Sequence, residues 1–234
     1  MNATTTLPGN KEETLAFAVE HWVKTATEAI QNRGSFRVAL SGGSTPKAIY
    51  QKLSTEFADK IDWSEVHLFW GDERTVSPDH PDSNYKMAMD AGFSKLPIPE
   101  NQIHRMVAEK EIEANARAYE KLMQAAPLDL VMLGMGEDGH TASLFPNTAA
   151  LNEKERLVLP NHVPQKETMR MTLTFPCINR ARNIVFYVLG DSKKEMIKKV
   201  FTEPEHNFPS QLIGTPESRA LWILDLAAAG LLEK

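Results

Sequence analysis

Short apolar segments that stop in glycine-containing polar turns recur along the chain, and helical patterns separate them. Four of these segments end at Ser41, Gly71, Gly134 and Gly190. Each is short and rich in branched aliphatic or aromatic residues, which favours a buried strand over a helix. Strands that alternate with helices predict a mostly parallel sheet with helices on both faces, which is a three-layer α/β fold.

Apolar periodicity sets the expected order of elements along the 234 residues. The predicted strands are Phe36–Leu40, Val66–Trp70, Ile103–Met106, Leu128–Leu133, Leu157–Leu159, Arg170–Thr174, Asn183–Leu189 and Arg219–Leu224. The predicted helices are Glu12–Asn32, a helix ending at Leu53, Tyr85–Ala91 capped by Ser83, Glu109–Gln124, a turn opened by Pro176, a helix ending at Val200, and Leu226–Leu232. Residues 1–11 are expected to form a flexible arm, and residues 12–234 a single α/β domain, because no linker divides them.

Composition excludes several classes of protein. Hydrophobic residues make up 42% of the chain and charged residues 24%, which is typical of a globular protein with a sizeable core. The net charge of −5 argues against general nucleic-acid or membrane-surface binding, and no apolar run is long enough to cross a bilayer. The single cysteine, Cys177, excludes an internal disulfide, and no cluster of cysteines and histidines indicates a metal. These features predict a cytoplasmic protein.

The stretch Leu128–Pro146, LDLVMLGMGEDGHTASLFP, joins an apolar strand to a charged turn. Glycines allow its backbone to approach a ligand closely, and Glu137, Asp138 and His140 crowd into the same few residues. Such crowding at a strand end indicates a functional site. The alternative is that His140 only caps a helix that begins at Thr141.

The other strand ends supply complementary groups, and the carboxyl ends of parallel strands meet at one edge of a sheet. Gly42, Gly43, Ser44 and Thr45 put backbone N–H groups and hydroxyls at a helix N-terminus, where Ser44 or Thr45 is expected to cap. This arrangement holds phosphate or carboxylate, although the GGST turn is neither a full Walker motif nor a dinucleotide motif, and a plain tight turn is the alternative.

Charged residues follow the remaining strand ends. Lys193 could place a cation near a bound anion, and Arg170 could offer two parallel hydrogen bonds to a phosphate; the alternative for both is solvated surface charge. Asp72, Glu73 and Arg74 bring both signs of charge to one turn, where a structural ion pair is the alternative. By contrast, Cys177 is expected in the core and His80 on the surface.

Five motifs in this order resemble the 6-phosphogluconolactonase family of the pentose phosphate pathway. They are SGGSTP, GDERTVSPDHPDSN, LGMGEDGHTASLFP, RMTLTFPCIN and GDSKK, and the resemblance spans about residues 36–225. The resemblance implies a modified Rossmann-like fold, which glucosamine-6-phosphate isomerase/deaminase shares together with the phosphate site. The isomerase/deaminase typically has DEY where this chain has DER, and GHIAFNEP where this chain has GHTASLFP. Both differences favour the lactonase.

The resemblance implies roles for the charged residues. His140 would act as the general base that takes a proton from water, then return that proton to the departing ring oxygen; an imidazole suits both steps because its unperturbed pKa is about 6.5. Arg74 would stabilise the charge that develops on the carbonyl oxygen. Asp72 would contact sugar hydroxyls or align Arg74. Proximity in sequence, and not the family, suggests that Asp138 orients His140.

For binding, the resemblance implies that Gly43, Ser44, Arg170 and Lys193 hold the 6-phosphate, with Lys194 as the alternative to Lys193. Neither a metal nor a cofactor is implied. The expected partner is a small phosphosugar lactone, bound by a monomer or a homodimer, with the loop Thr75–Asn84 as the candidate to close over it. Two rival functions stay open: an amino-sugar-phosphate isomerase/deaminase, and a non-catalytic sugar-phosphate sensor, for which residues 1–11 offer no DNA-binding segment.

Overall fold

The structure, a computed structural model, describes residues 1–205 and 207–232. The strands are β1 Ala3–Thr6, β2 Phe36–Leu40, β3 Val66–Trp70, β4 Asp72–Arg74, β5 Leu130–Leu133, β6 Val158–Val163, β7 Thr168–Leu173, β8 Ile184–Val188 and β9 Ala220–Leu224. The α-helices are α1 Lys11–Arg33, α2 Ser44–Thr55, α3 Asn84–Asp90, α4 Ile112–Ala125, α5 Phe175–Asn179 and α6 Lys194–Thr202. Within the described ranges, no helix has the length and apolar character needed to span a bilayer.

Six strands form the main sheet in the order β1-β9-β8-β5-β2-β3, and every neighbouring pair is parallel. All residues of β5 and β8 are buried, so both faces of the sheet are covered at its centre. Burial on both faces is why these strands read as continuous apolar runs in the sequence. The prediction of an α/β fold with a mostly parallel sheet is confirmed.

The candidate functional site lies where the order of the strands in the main sheet reverses, between β2 and β5. The chain leaves β2 for β3 on one side, whereas from β5 it proceeds to β8 and β9 on the other. Connections that diverge from two neighbouring strands leave a crevice beyond their carboxyl ends, where ligands of open α/β sheets bind. The GGST turn after β2 and the charged turn after β5 flank this crevice.

A second sheet, which the sequence did not predict, is antiparallel and has the order β4-β7-β6. β4 begins two residues after β3 ends, so the chain passes from one sheet to the other through Gly71. In its register, Asp72 lies opposite Thr172, and Arg74 lies opposite Arg170. Because side chains alternate along a strand, Asp72 and Arg74 point to the same face of the small sheet.

The expected flexible arm is wrong for residues 3–6. Ala3–Thr6 form the edge strand β1, which pairs in parallel with β9. Threonine is favourable in strands, and an edge strand needs only backbone hydrogen bonds on one side. Polar side chains therefore did not prevent this segment from joining the sheet.

Two other predicted elements also differ from the structure. Residues 226–232 form turns and not a helix; Asp225 accepts from the N–H of Ala228, and Gly230 interrupts the segment. Ile103–Met106 contributes only a single bridge, between Ile103 and Leu68, because prolines keep the preceding chain from extending along the edge of the sheet.

A pair of histidines beside β3 makes stability depend on pH. The ring of His104 stacks on Phe69 with centroids 4.5 Å apart, and its Nε2 lies 3.4 Å from Nδ1 of His67. Burial, followed by the charges of His67 and Arg37, lowers the pKa of His104 from 6.5 to about 4. Below pH 6.5 the unfolded chain binds a proton that the folded chain does not, so stability is complete above that pH and is lost as the pH falls toward 4.

We therefore expect His104→Gln to reduce the loss of unfolding free energy over this pH range. Urea unfolding of the wild type and the variant at several pH values measures the difference in slope. His162→Gln is the control, since His162 is exposed. An unchanged pH dependence in His104→Gln would contradict the assignment.

Candidate active site

A cavity of about 300 Å³ opens at the carboxyl ends of β2, β5 and β8. Residues from all four glycine-containing turns and from the small sheet line it. Of the candidate residues, the cavity is lined by Gly42, Gly43, Ser44, Thr45, Asp72, Arg74, His140, Arg170 and Lys193. Asp138 is not in the wall but is bonded to His140.

The N-terminus of α2 presents free donors to this cavity. Gly43 precedes the helix with a φ of 105°, a conformation that favours glycine, and no side chain caps the helix. The expected cap by Ser44 or Thr45 is therefore wrong, because both residues lie inside the helix. Their N–H groups belong to the first helical turn and have no partner within the helix, so they can bind an anion.

Two arginines lie directly opposite each other on β4 and β7, which are neighbouring strands of the small sheet. Arg74 and Arg170 are register partners, and like charges directly opposite each other on a sheet repel. The Arg170 side chain is only 14% exposed, and its Nε has no hydrogen-bond partner within residues 1–205 and 207–232. Burial lowers the pKa of Arg170 by more than the negative charge of Asp72 raises it, so the pKa is lower than its ordinary value. This pair of cations has the electrostatic character of an anion site.

Asp72 is held in a buried network beside the cations. It accepts from Ser143 Oγ at 2.6 Å and from Asn84 Nδ2 at 3.2 Å. Its Oδ2 lies 3.9 Å from Nη1 of Arg170. In the described residues Asp72 pairs with Arg170 and not with Arg74, and its contact with sugar hydroxyls stays a prediction.

The loop 75–84 is anchored by Glu73 and not by the ion pair that the sequence left as an alternative. The buried carboxylate accepts from Ser83 Oγ and from the N–H groups of Arg74, Asn84 and Tyr85, at 2.8–3.1 Å. Burial raises the pKa of Glu73, although these N–H donors oppose the rise. The Arg74 guanidinium donates to the carbonyl of Asp82, which fixes it against the same loop.

His140 is oriented by a carboxylate. Its Nδ1 lies 2.5 Å from Asp138 Oδ1, and its backbone N–H donates to the same oxygen. Burial raises the pKa of Asp138, but the hydrogen bonds and charge of His140 outweigh it, so the pKa is lowered. An ionised carboxylate can only accept, which assigns the proton to Nδ1 and leaves Nε2 of a neutral ring as an acceptor. No helix follows at Thr141, so the alternative role of His140 as a helix cap is wrong.

Packing fixes the His140 ring on its other sides. The ring stacks on Phe145 with centroids 3.9 Å apart, and Arg170 lies over the same phenyl ring at 5.6 Å. A Cβ atom at Gly136 would lie 2.1 Å from two atoms of the imidazole. The φ of Gly136 is not positive, so clearance for the ring, and not backbone conformation, explains this glycine.

We expect Gly136→Ala to lower the rate of any reaction that uses His140 by about 100-fold, because displacement of a reacting group by about 1 Å has that effect. Gly71→Ala is the matched control, since Gly71 does not line the cavity and a Cβ there meets only the carbonyl oxygen of Leu40 at 3.5 Å. Steady-state kinetics of both variants tests the claim. Equal activity of the two would contradict it.

The structure distinguishes residues that the sequence left open. Lys193 lines the cavity and donates from Nζ to the carbonyl of Met135, whereas Lys194 pairs with Asp191 outside it. Cys177 is buried, which raises the pKa of its thiol to about 12, as expected of a core residue. His80 is exposed on the loop, with 47% of its side chain accessible.

Comparison with known proteins identifies the family. The sequence model of the family described as glucosamine-6-phosphate isomerases/6-phosphogluconolactonase matches residues 9–222. The chain belongs to this family. It is 46% identical to a 6-phosphogluconolactonase of Chlamydia trachomatis, with 92% of this chain and 85% of the relative covered. A 6-phosphogluconolactonase of the cyanobacterium Nostoc is 42% identical, with 86% of each chain covered.

Solved structures of the family share the fold. A 6-phosphogluconolactonase from Trypanosoma cruzi superposes with a TM-score of 0.86 at 27% identity, covering 99% of this chain and 97% of that one. A monomeric glucosamine-6-phosphate deaminase of the NagB superfamily superposes with a TM-score of 0.82 at 20% identity, covering 99% and 100%. The second likeness concerns the fold alone.

Several residues that shape the cavity were not given a role in it from the sequence. Phe145 and Gly136 support the imidazole, and Asn84 and Ser143 hold Asp72. All four lie within motifs that carried the resemblance, and Asn84 is the last residue of GDERTVSPDHPDSN. A buried apolar or amide residue carries no charge signal, so only its contacts indicate what it does.

Proposed function

We propose that the protein hydrolyses 6-phospho-D-glucono-1,5-lactone to 6-phospho-D-gluconate, the second step of the oxidative pentose phosphate pathway. The observation that carries the proposal is one cavity in which a carboxylate-oriented histidine faces two arginines and an open helix N-terminus. These are the groups that a phosphorylated ester substrate requires: a base, a site for developing negative charge and a phosphate site. The names of the relatives at 42–46% identity support the same reaction.

In the proposed mechanism His140 activates water. Asp138 keeps the proton on Nδ1, so Nε2 accepts a proton from the water as its oxygen attacks the lactone carbonyl carbon. The resulting tetrahedral intermediate collapses by breaking the bond to the ring oxygen, which takes the proton from the imidazolium. The hydrogen bond to Asp138 stabilises the positively charged ring between these steps.

Arg74 supplies the positive charge for the carbonyl oxygen. Its guanidinium is held by the carbonyl of Asp82 and faces the cavity that His140 also lines. A fixed cation stabilises an oxyanion without reorganising during the reaction. The same position distinguishes this chain from the deaminases, because Arg74 stands where the deaminases typically have tyrosine.

The phosphate binds against the first turn of α2 and Lys193, with Arg170 as a further cation beside Arg74. Binding energy from this remote group positions the lactone carbonyl against His140. Hydrolysis of a lactone involves no oxidation or reduction and no change to a carbon–carbon bond, so protein side chains are sufficient to catalyse it. We place the enzyme in the cytoplasm, with the phosphosugar lactone as its partner.

Parallel assays test the proposal against its rival. Purified protein is mixed with freshly prepared lactone, with spontaneous hydrolysis subtracted, and separately with glucosamine 6-phosphate. Lactone hydrolysis without ammonia release is the expected result. Ammonia release with no excess lactone hydrolysis would establish the isomerase/deaminase instead, and tight binding of phosphosugars without turnover would establish a sensor.

A further inference from the structure

Three tyrosines are buried in the core, and two of them have hydrogen-bonded hydroxyls. Tyr50 Oη donates to the carbonyl of Ser41 and accepts from its N–H. Tyr119 Oη donates to the carbonyl of His104 and accepts from the N–H of Trp70. The hydroxyl of Tyr187 has no partner in the part of the chain that the structure describes, although the residue is only 2% exposed.

Tyr187 is also the only one of the three that lines the active-site cavity. It lies on β8, just before the turn that carries Lys193. β8, which carries Tyr187, packs against α2, which carries Tyr50. Tyr187 therefore shares the cavity with residues of the turn after β2 and of the turn after β8.

We propose that Tyr187 is a phosphate-binding residue whose hydroxyl donates a hydrogen bond to a phosphate oxygen of the substrate. This inference rests on the proposed function, because it assigns the residue to the same phosphosugar site. The cavity that Tyr187 lines also holds Lys193 and the free N–H groups of α2, so the surroundings favour an anion.

The chemistry of the group fits this role. A phenol can donate one hydrogen bond, and a hydroxyl that is buried without a partner destabilises the folded protein. Burial raises the pKa of Tyr187 above its ordinary value, so the hydroxyl keeps its proton and remains a donor. A bound phosphate would supply the acceptor that the protein does not.

The test compares two substitutions that remove a buried hydroxyl. Tyr187→Phe and Tyr119→Phe have the same chemistry and similar burial, but only Tyr187 lines the cavity. Calorimetry measures the affinity of each variant and of the wild type for 6-phosphogluconate and for inorganic phosphate, and thermal unfolding measures Tm without ligand.

We expect Tyr187→Phe to bind both ligands about tenfold more weakly, which is the loss of one hydrogen bond to a charged group, and to have a higher Tm because an unpaired hydroxyl is removed. Tyr119→Phe should have a lower Tm and unchanged affinity. Unchanged affinity in Tyr187→Phe would overturn the inference, whatever its Tm.

If the wild type binds phosphate but does not hydrolyse the lactone, the proposed function fails while the role of Tyr187 is still decided by the phosphate affinities. If the wild type binds neither ligand, both proposals fail.

Discussion

Replacing His140 with alanine is expected to lower kcat for lactone hydrolysis by about 10²–10⁴-fold, the usual contribution of a general base. The substitution removes Nε2, the proton acceptor, and leaves Asp138 without its partner. The phosphate ligands on α2, Lys193 and Arg170 are all retained, so the affinity for 6-phosphogluconate should be nearly unchanged. Loss of turnover with binding retained separates a chemical role from a structural one.

The matched control is His162→Ala. His162 lies on β6 and is exposed, so its removal should leave kcat, affinity and Tm unchanged. Rates must be corrected for spontaneous hydrolysis, which sets the floor of the assay. Full activity in His140→Ala would refute the assignment of the base.

Replacing Arg74 with methionine is expected to lower kcat by about 10²–10³-fold, the typical effect of removing an oxyanion donor. Methionine keeps much of the length of the side chain but offers neither charge nor donors. Arg74→Lys restores the charge without the planar donors and should fall between methionine and the wild type. The comparison measures how much of the effect is electrostatic.

Arg117→Met controls for the loss of a positive charge, since that side chain on α4 is 64% exposed. It should leave kcat unchanged. A fall in affinity for 6-phosphogluconate with unchanged kcat in Arg74→Met would instead assign Arg74 to substrate binding, against the proposed role.

The sequence predicted the main sheet well because its signal is local. Strands buried on both faces, such as β5 and β8, appear as continuous apolar runs, and glycine marks their ends. The small sheet was missed because the pairing of Asp72 with Thr172 joins distant segments that no local pattern links. β1 was missed because a threonine-rich edge strand has no apolar face to detect.

The candidate site also has features that the sequence could predict and features that it could not. Charged and glycine residues at strand ends could be recognised, and the topology of a parallel sheet explained why they should meet. Their individual orientations depend on contacts that a sequence does not display, such as the stacking of His140 on Phe145 and the ion pair of Asp72 with Arg170. The helix cap at α2 was wrong for a related reason: a preferred capping residue was present, but Gly43 took the capping position and left the donors free.

The most direct test of the account is the initial rate of acid release from freshly prepared 6-phosphoglucono-1,5-lactone, with wild-type protein, with His140→Ala and with buffer alone. We expect a saturable rate far above that of buffer for the wild type, and a rate close to that of buffer for His140→Ala. A wild-type rate equal to that of buffer would contradict it.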